Sequence, residues 1–267
     1  MSSVIVSDAP AYSPEEIASY KDQFLRDGFL HIPAILNAEE IMALKAGIDR
    51  VFKDERFADN RYSEFVAARL FETDRAYEEM LTREPIIGLV ESILGPDCHL
   101  IAQNVVRNAP GQAIDIYHVD HAVEFPVGPG MERHNERLQM PVFLCMVQIL
   151  LTDVPSLEYG PSQYIPGSHY AGREPDDLYA PNFEGREPVS IFCKAGDIYL
   201  HNGQSWHRGA PNTSDRTRYL LQLSYGQRWV SQRFYPFINY QMPQEILDRA
   251  DERRKRVLGV HPKGAYG

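Results

Sequence analysis

The chain is expected to be mainly β, an antiparallel double sheet of jelly-roll type behind an N-terminal helical layer, with a further helix near its C-terminus. Two observations carry this expectation. Up to about Leu94 the apolar residues recur at helical spacing behind capping signals, whereas from His99 onward they fall into short strand-like runs. Pro, Gly and Asn signals separate those runs, and 19 Pro with 18 Gly in 267 residues indicate many turns rather than disorder. No internal repeat or low-complexity tract interrupts the pattern.

Ser13-Pro14-Glu15-Glu16 is a capping box with Pro at the first helical position, followed by Ile17, Tyr20, Phe24 and Leu25 at helical spacing. That helix should stop near Gly28, and Phe29 to Ile32 reads as a short strand. Asn37 to Glu40 repeats the capping pattern ahead of Ile41, Leu44, Ile48, Val51 and Phe52. A third helical region runs from about Asp74 to Leu94, broken at Pro85 and stopped by Gly95-Pro96. Strand-like runs follow at His99 to Arg107, Ala113 to Val119, Met140 to Leu151, Val189 to Phe192, Ile198 to Leu200 and Arg218 to Tyr225. Residues 1–267 are expected to form one domain, with 1–11 a flexible arm. The polar loop Gly172 to Pro188 and the segment Val127 to Leu138 are the expected mobile coverings.

A net charge of −10 provides no field to gather phosphate backbones, so nucleic acid is not an expected partner. The basic cluster Arg253 to Arg256 follows Asp248, Asp251 and Glu252 on the C-terminal amphipathic helix and reads as a solvated face. Cys98, Cys145 and Cys193 are far apart, which fits reduced thiols and a cytoplasmic setting. No apolar run approaches the roughly 18 residues that a membrane span needs.

The chemistry-bearing stretch is His118-Val119-Asp120. In a strand, residues i and i+2 share a face, so a nitrogen and an oxygen can converge there. A third ligand must come from elsewhere, and the segment after Gly203 offers His207, with His201 six residues earlier as its competitor. Two neutral imidazoles and one carboxylate on one face leave Fe(II) open positions, whereas zinc sites more often close tetrahedrally. His-x-Asp alone is prone to chance among nine histidines; its neighbours give it weight.

Those neighbours are Glu158-Tyr159-Gly160-Pro161 leading to Ile165-Pro166-Gly167-Ser168-His169, then Ala195-Gly196-Asp197, and His207 with Arg218 eleven residues on. In order and spacing the chain resembles the phytanoyl-CoA dioxygenase family of Fe(II)- and 2-oxoglutarate-dependent oxygenases, ectoine hydroxylase among them, from about Phe24 to Tyr225. The resemblance implies a double-stranded β-helix with iron on His118, Asp120 and His207, and Arg218 in a bidentate salt bridge to the distal carboxylate of 2-oxoglutarate. Arg216 and Arg228 are rival anchors. By the same resemblance Gln103 and Gln148 are candidates to line the site, each also able simply to satisfy a buried backbone group. His169 reads as a structural member of its turn, and His121 should point away unless the strand ends beside it. Tyr159-Gly160-Pro161 departs from the Asn-Gly that many relatives carry before the turn, which bears on the pocket's shape. Asp120 argues against halogenation, since the halogenating relatives lack the carboxylate ligand.

The implied activity is hydroxylation of a small metabolite or natural-product intermediate with O2 as co-substrate and succinate and CO2 as co-products. The same centre could instead desaturate, cyclise or epimerise. A non-catalytic jelly-roll binding module and a zinc-bound hydrolase are the alternatives outside oxygenation. Arg133, His134 and Arg137 could meet an anionic group, and Trp229, Phe234, Tyr235, Phe237 and Tyr240 could wall a pocket; ordinary surface and packing explain most of them equally well. Oligomeric state is not legible.

Overall fold

A computed structural model describes residues 12–135 and 137–263; the expected arm at 1–11 lies outside the described residues. Helix α1 (Pro14–Asp27) begins at the reciprocal Ser13/Glu16 capping box and ends at Gly28, whose φ of 82° is a left-handed C-cap that costs glycine least. After β1 (Phe29–Ile32), helix α2 (Ala38–Lys53) starts at a second capping box, Asn37/Glu40. Two shorter helices, α3 (Arg75–Met80) and α4 (Ile86–Leu94), flank Pro85, where the missing N–H and ring bulk forbid a continuous helix.

The β region comprises β2 (Val66–Ala68), β3 (His99–Asn108), β4 (Ile114–His118), β5 (Leu144–Leu150), β6 (Ser162–Tyr164), β7 (Val189–Ser190), β8 (Ile198–Asn202), β9 (His207–Gly209) and β10 (Arg218–Gly226). They form two antiparallel sheets, β1-β8-β5-β10-β3-β2 and β4-β9-β6-β7. Strands β2, β6 and β9 were not foreseen; three residues are too few for alternation to register. Strand β5 begins later than expected, after Pro141, which cannot donate to a ladder.

Side-chain parity explains what the larger sheet presents on each face. Cys145, Val147 and Ile149 of β5, with Leu221, Leu223 and Tyr225 of β10, pack against Phe24, Leu44, Ile48, Tyr77 and Ile87 of the helical layer. The alternate residues Leu150 and Leu220 turn inward and meet Tyr164 of the smaller sheet, together with Phe29, Val106 and Tyr199. The space between the sheets is therefore part apolar core, part cavity.

Near the C-terminus the expected single helix is two, α5 (Gln244–Arg249) and α6 (Glu252–Val257), because Ala250 is extended and Asp251 caps a fresh start. The basic cluster is not a solvated face, correcting that expectation: Arg253 bonds Glu91 at 2.9 and 2.6 Å, and Arg256 also pairs with Glu91, so α6 is clamped to α4. The loop after Gly172 is pinned by buried Phe183, whose ring meets Trp206 edge-on. Cys98, Cys145 and Cys193 are unpaired and buried. Among the described residues no helix is long and apolar enough to cross a membrane.

Candidate active site

His118 and His207 are register partners across β4 and β9 of the smaller sheet, with ring centroids 4.4 Å apart. Each ring is oriented by its own backbone: Nδ1 of His118 donates to the Ile116 carbonyl and Nδ1 of His207 to the Ser205 carbonyl, both at 2.9 Å. A carbonyl only accepts, so the proton sits on Nδ1 and each Nε2 keeps its lone pair. Burial lowers the pKa of both imidazoles, which favours the neutral, ligating form. Strand β9 is held in place by the Pro-Gly-Ser-His turn, where Ser168 Oγ accepts the Trp206 amide at 2.7 Å.

Asp120 arrives differently from the strand argument. Strand β4 ends at His118, and the aspartate is fixed by its own amide, which donates to Gly203 O at 2.9 Å. Its Oδ1 lies 3.6 Å from His207 Nε2. Burial pushes its carboxyl pKa up, but His207 and a hydrogen bond from His201 outweigh that and hold it well below the ordinary carboxylate range. One ligand atom from each of His118, Asp120 and His207 lies within 4.8 Å of the others. Two neutral nitrogens and one carboxylate oxygen on one side fit Fe(II) with positions left for other ligands.

His201 is not a third nitrogen ligand here but the partner of the carboxylate. Its Nε2 donates to Asp120 Oδ2 at 2.9 Å, and its Nδ1 accepts from Tyr164 OH at 3.0 Å. Sequence reasoning treated His201 only as a competitor and missed Tyr164. The available signal was that Tyr199 and His201 alternate with apolar Ile198 and Leu200 and so share the inward face.

Arg218, on the inner face of β10, looks into a cavity of about 170 Å³ shared with His118, Asp120, His207, Gln148 and Gln222. Its guanidinium is buried, which lowers its pKa. It donates to the Gly160 carbonyl, and no carboxylate is within salt-bridge distance among the described residues; Nε has no partner. Gly160 is needed there: its φ is +66°, and a Cβ would sit 2.7 Å from the Ala210 carbonyl. Gln148 Oε1 is likewise buried without a partner. An unneutralised cation and orphaned polar atoms opposite the donor triad fit a small dicarboxylate.

The rival anchors lie elsewhere. Arg216 stacks on Tyr159 at 4.2 Å, and Arg228 donates to Pro262 O. Gln103 must be corrected: it faces the helical layer, where its Oε1 accepts from Phe71 N at 2.8 Å and its Nε2 donates to Tyr77 O at 3.1 Å. His169 donates to Leu25 O at 3.0 Å and ties its turn to α1. Gly28 completes that fastening, its carbonyl accepting from Asn202 N and Ser205 Oγ, each at 2.9 Å. His121, past the end of β4, lines a second cavity beside Asp120 together with Tyr235 and Phe237. Arg133 and Arg137 line a separate hollow with Arg26 and Arg186, and His134 bonds Phe125 O. Phe234 is core, Tyr240 bonds Glu72, and Trp229 packs on Phe143.

A double antiparallel sheet carrying this donor set is the architecture of non-heme iron oxygenases that use 2-oxoglutarate. The family model for phytanoyl-CoA dioxygenase (PhyH) matches residues 24–220, and the chain belongs to that family. Among solved structures it is similar to the epimerase SnoN in complex with Fe3+, alpha ketoglutarate and nogalamycin RO, at 21% identity and TM-score 0.63 over 83% of this chain and 88% of that one. The carbocyclase SnoK from nogalamycin biosynthesis matches at 20% and 0.61 over 83% and 87%. HygX from Streptomyces hygroscopicus with nickel and 2-oxoglutarate bound matches at 16% and 0.62 over 84% and 90%. A 92-residue stretch is 25% identical to the uncharacterized protein Rv1501 of Mycobacterium tuberculosis, covering 34% of this chain and 32% of that protein. The chain thus aligns with about a third of the curated relatives' length.

Proposed function

We propose that this enzyme hydroxylates an unactivated C–H bond of a small metabolite or natural-product intermediate, consuming 2-oxoglutarate and O2 and releasing succinate and CO2. The observation that carries the reading is the buried, unneutralised Arg218 facing His118, Asp120 and His207 across one small cavity. His118, Asp120 and His207 would hold Fe(II), whose chemistry with 2-oxoglutarate is oxidative decarboxylation coupled to attack on the C–H bond. Arg218 orients the distal carboxylate of the co-substrate through a planar, two-point contact. Gln148 offers a polar contact to the same molecule, and His201, itself bonded by Tyr164, holds Asp120 Oδ2, so that Oδ1 is the oxygen that would ligate the metal. Val106 and Leu220 line the cavity with apolar surface. We place residues 1–267 in one oxygenase unit and, from its three unpaired thiols, in the cytoplasm.

The test is iron- and ascorbate-dependent conversion of 2-oxoglutarate to succinate by the purified protein without added substrate. His118→Ala should abolish it while leaving the circular dichroism spectrum unchanged. Full turnover in that variant would remove His118 from the metal site, and no turnover in the wild type with iron bound would favour a binding module.

The similarity in fold to an epimerase and a carbocyclase supports a second reading, in which the same centre ends in rearrangement. Mass spectrometry of the product separates the two, because hydroxylation adds one oxygen atom and epimerisation leaves the mass unchanged.

A further inference from the structure

Two cavities open on Asp120, and they differ in kind. The smaller, of about 170 Å³, ends at Arg218; the larger, of about 360 Å³, shares Asp120 and Gln222 with it but contains no part of Arg218. The larger volume is within the usual range for small-molecule sites, roughly 300–1,000 Å³. Its floor is the inner face of β3 and β10, where Asn104, Gln222 and Ser224 present polar groups. Its rim is aromatic: Tyr62, Tyr235 and Phe237 are 55%, 58% and 60% exposed, although rings of this size are ordinarily buried. Tyr235 and Phe237 meet nearly perpendicular with centroids 6.0 Å apart.

Arg233 stands on the same wall. Its Nη2 donates to His121 Nδ1 at 2.5 Å, so its side-chain partner is a neutral ring, and among the described residues it has no carboxylate partner. His121 lines the chamber too, and its Nε2 is buried without a hydrogen-bond partner. In the basic hollow farther away, Arg133 and Arg186 are both neutralised by Glu184 and Arg26 by Asp27, which leaves Arg137 as the one lining arginine without a carboxylate partner among the described residues, and that hollow does not adjoin Asp120. An exposed guanidinium with no carboxylate partner among the described residues and an imidazole N–H without an acceptor, beside three exposed rings and next to Asp120, call for a ligand with an anionic end and a flat apolar body.

We infer that the larger chamber is the substrate site and that it takes an aromatic or similarly flat carboxylic acid, with Arg233 binding the carboxylate and Tyr62, Tyr235 and Phe237 holding the body. The inference rests on the reading of His118, Asp120 and His207 as the iron site. It makes Arg233 the residue that sets specificity, separate in position and in ligand from the co-substrate anchor Arg218.

The experiment uses the anaerobic protein loaded with Fe(II) and saturating 2-oxoglutarate, titrated with 3-phenylpropionate and with its neutral counterpart 3-phenylpropanamide. Binding is followed by the visible charge-transfer band and by ligand-observed NMR. The acid should bind about tenfold more tightly than the amide, a difference of about 1.4 kcal/mol. Arg233→Gln should erase that preference, Arg233→Lys should retain part of it, and Tyr235→Ala with Phe237→Ala should weaken both ligands. Equal binding of acid and amide, a preference that survives Arg233→Gln, or binding of neither probe overturns the inference. Failure of the charge-transfer band to form before any probe is added instead overturns the iron and 2-oxoglutarate reading beneath it.

Discussion

Replacing Arg218 by Met should leave stability nearly unchanged while sharply weakening co-substrate affinity. The guanidinium is buried and, among the described residues, has no carboxylate partner and donates to the Gly160 carbonyl alone. Removing a desolvated charge of this kind gains stability, by analogy with buried ion pairs replaced by apolar side chains, where the gain is about 1–4 kcal/mol. Leaving the Gly160 carbonyl unpaired costs about 1–3 kcal/mol. The two nearly cancel, so the unloaded variant should melt within a few degrees of the wild type or slightly above it, at about 2–4 °C per kcal/mol for a protein of this size. Co-substrate binding should not be spared: losing one partner of a buried ionic contact costs about 3–5 kcal/mol, which is at least a hundredfold in Kd at about 1.4 kcal/mol per decade. Differential scanning fluorimetry with and without Ni(II) and 2-oxoglutarate, together with calorimetric titration of 2-oxoglutarate, reads both quantities. A large drop in the melting temperature of the unloaded variant with 2-oxoglutarate affinity preserved within tenfold would refute the assignment of Arg218 as anchor.

Three further outcomes are expected. His201→Phe should weaken Fe(II) binding about 10- to 100-fold through loss of the bond to Asp120, and Tyr164→Phe less so; unchanged metal affinity in competition titrations of His201→Phe would leave His201 a packing residue. Arg83→Ala should lower stability by about 3–5 kcal/mol in urea unfolding, because Glu40, its partner at 2.7 Å, is 1% exposed and would be left buried as a lone charge; a loss under 1 kcal/mol would contradict this. Burial lowers the pKa of His169 to about 4, so between that value and the unfolded value near 6.5 the unfolded chain binds the extra proton and stability falls as pH falls. The contribution is about 2 kcal/mol lost between pH 8 and pH 5, and His169→Gln should flatten the unfolding free energy by that amount over the interval, whereas an unaltered slope would count against it.

How far the site was legible in the sequence depended on parity and register. The capping boxes at Ser13 and Asn37 and the break at Pro85 are local signals, and the helices they delimit followed directly. His118, His207 and Arg218 could be singled out by spacing, yet nothing local says that β4 stops at His118 or that Gly203 holds the aspartate. Gln103 and Gln148 looked alike as polar residues in strands, but their fates differ by one step of alternation. Gln148 pairs with Gln222, four residues from Arg218 and on its face, whereas Gln103 pairs with Leu223 and faces the helices. Arg253 and Arg256 were read as solvated because their partner Glu91 lies far away in sequence. The same holds for His201, whose meaning depends on Tyr164 and Asp120, residues 37 and 81 positions distant.

Gly28 ties the helical layer to the segment that carries His207. Its carbonyl secures Asn202 and Ser205, two residues that lead into His207, while Leu25 and Asp27 hold the turn at Gly167 and His169. The end of α1 is thus knotted to the very turn that aims His207, although none of His118, Asp120 and His207 belongs to the helix. If His118, Asp120 and His207 hold iron, filling that centre and docking of the first helix should be coupled, and amide protons of α1 should exchange more slowly in the Fe(II)-loaded protein than in the unloaded one; equal exchange rates would separate the two.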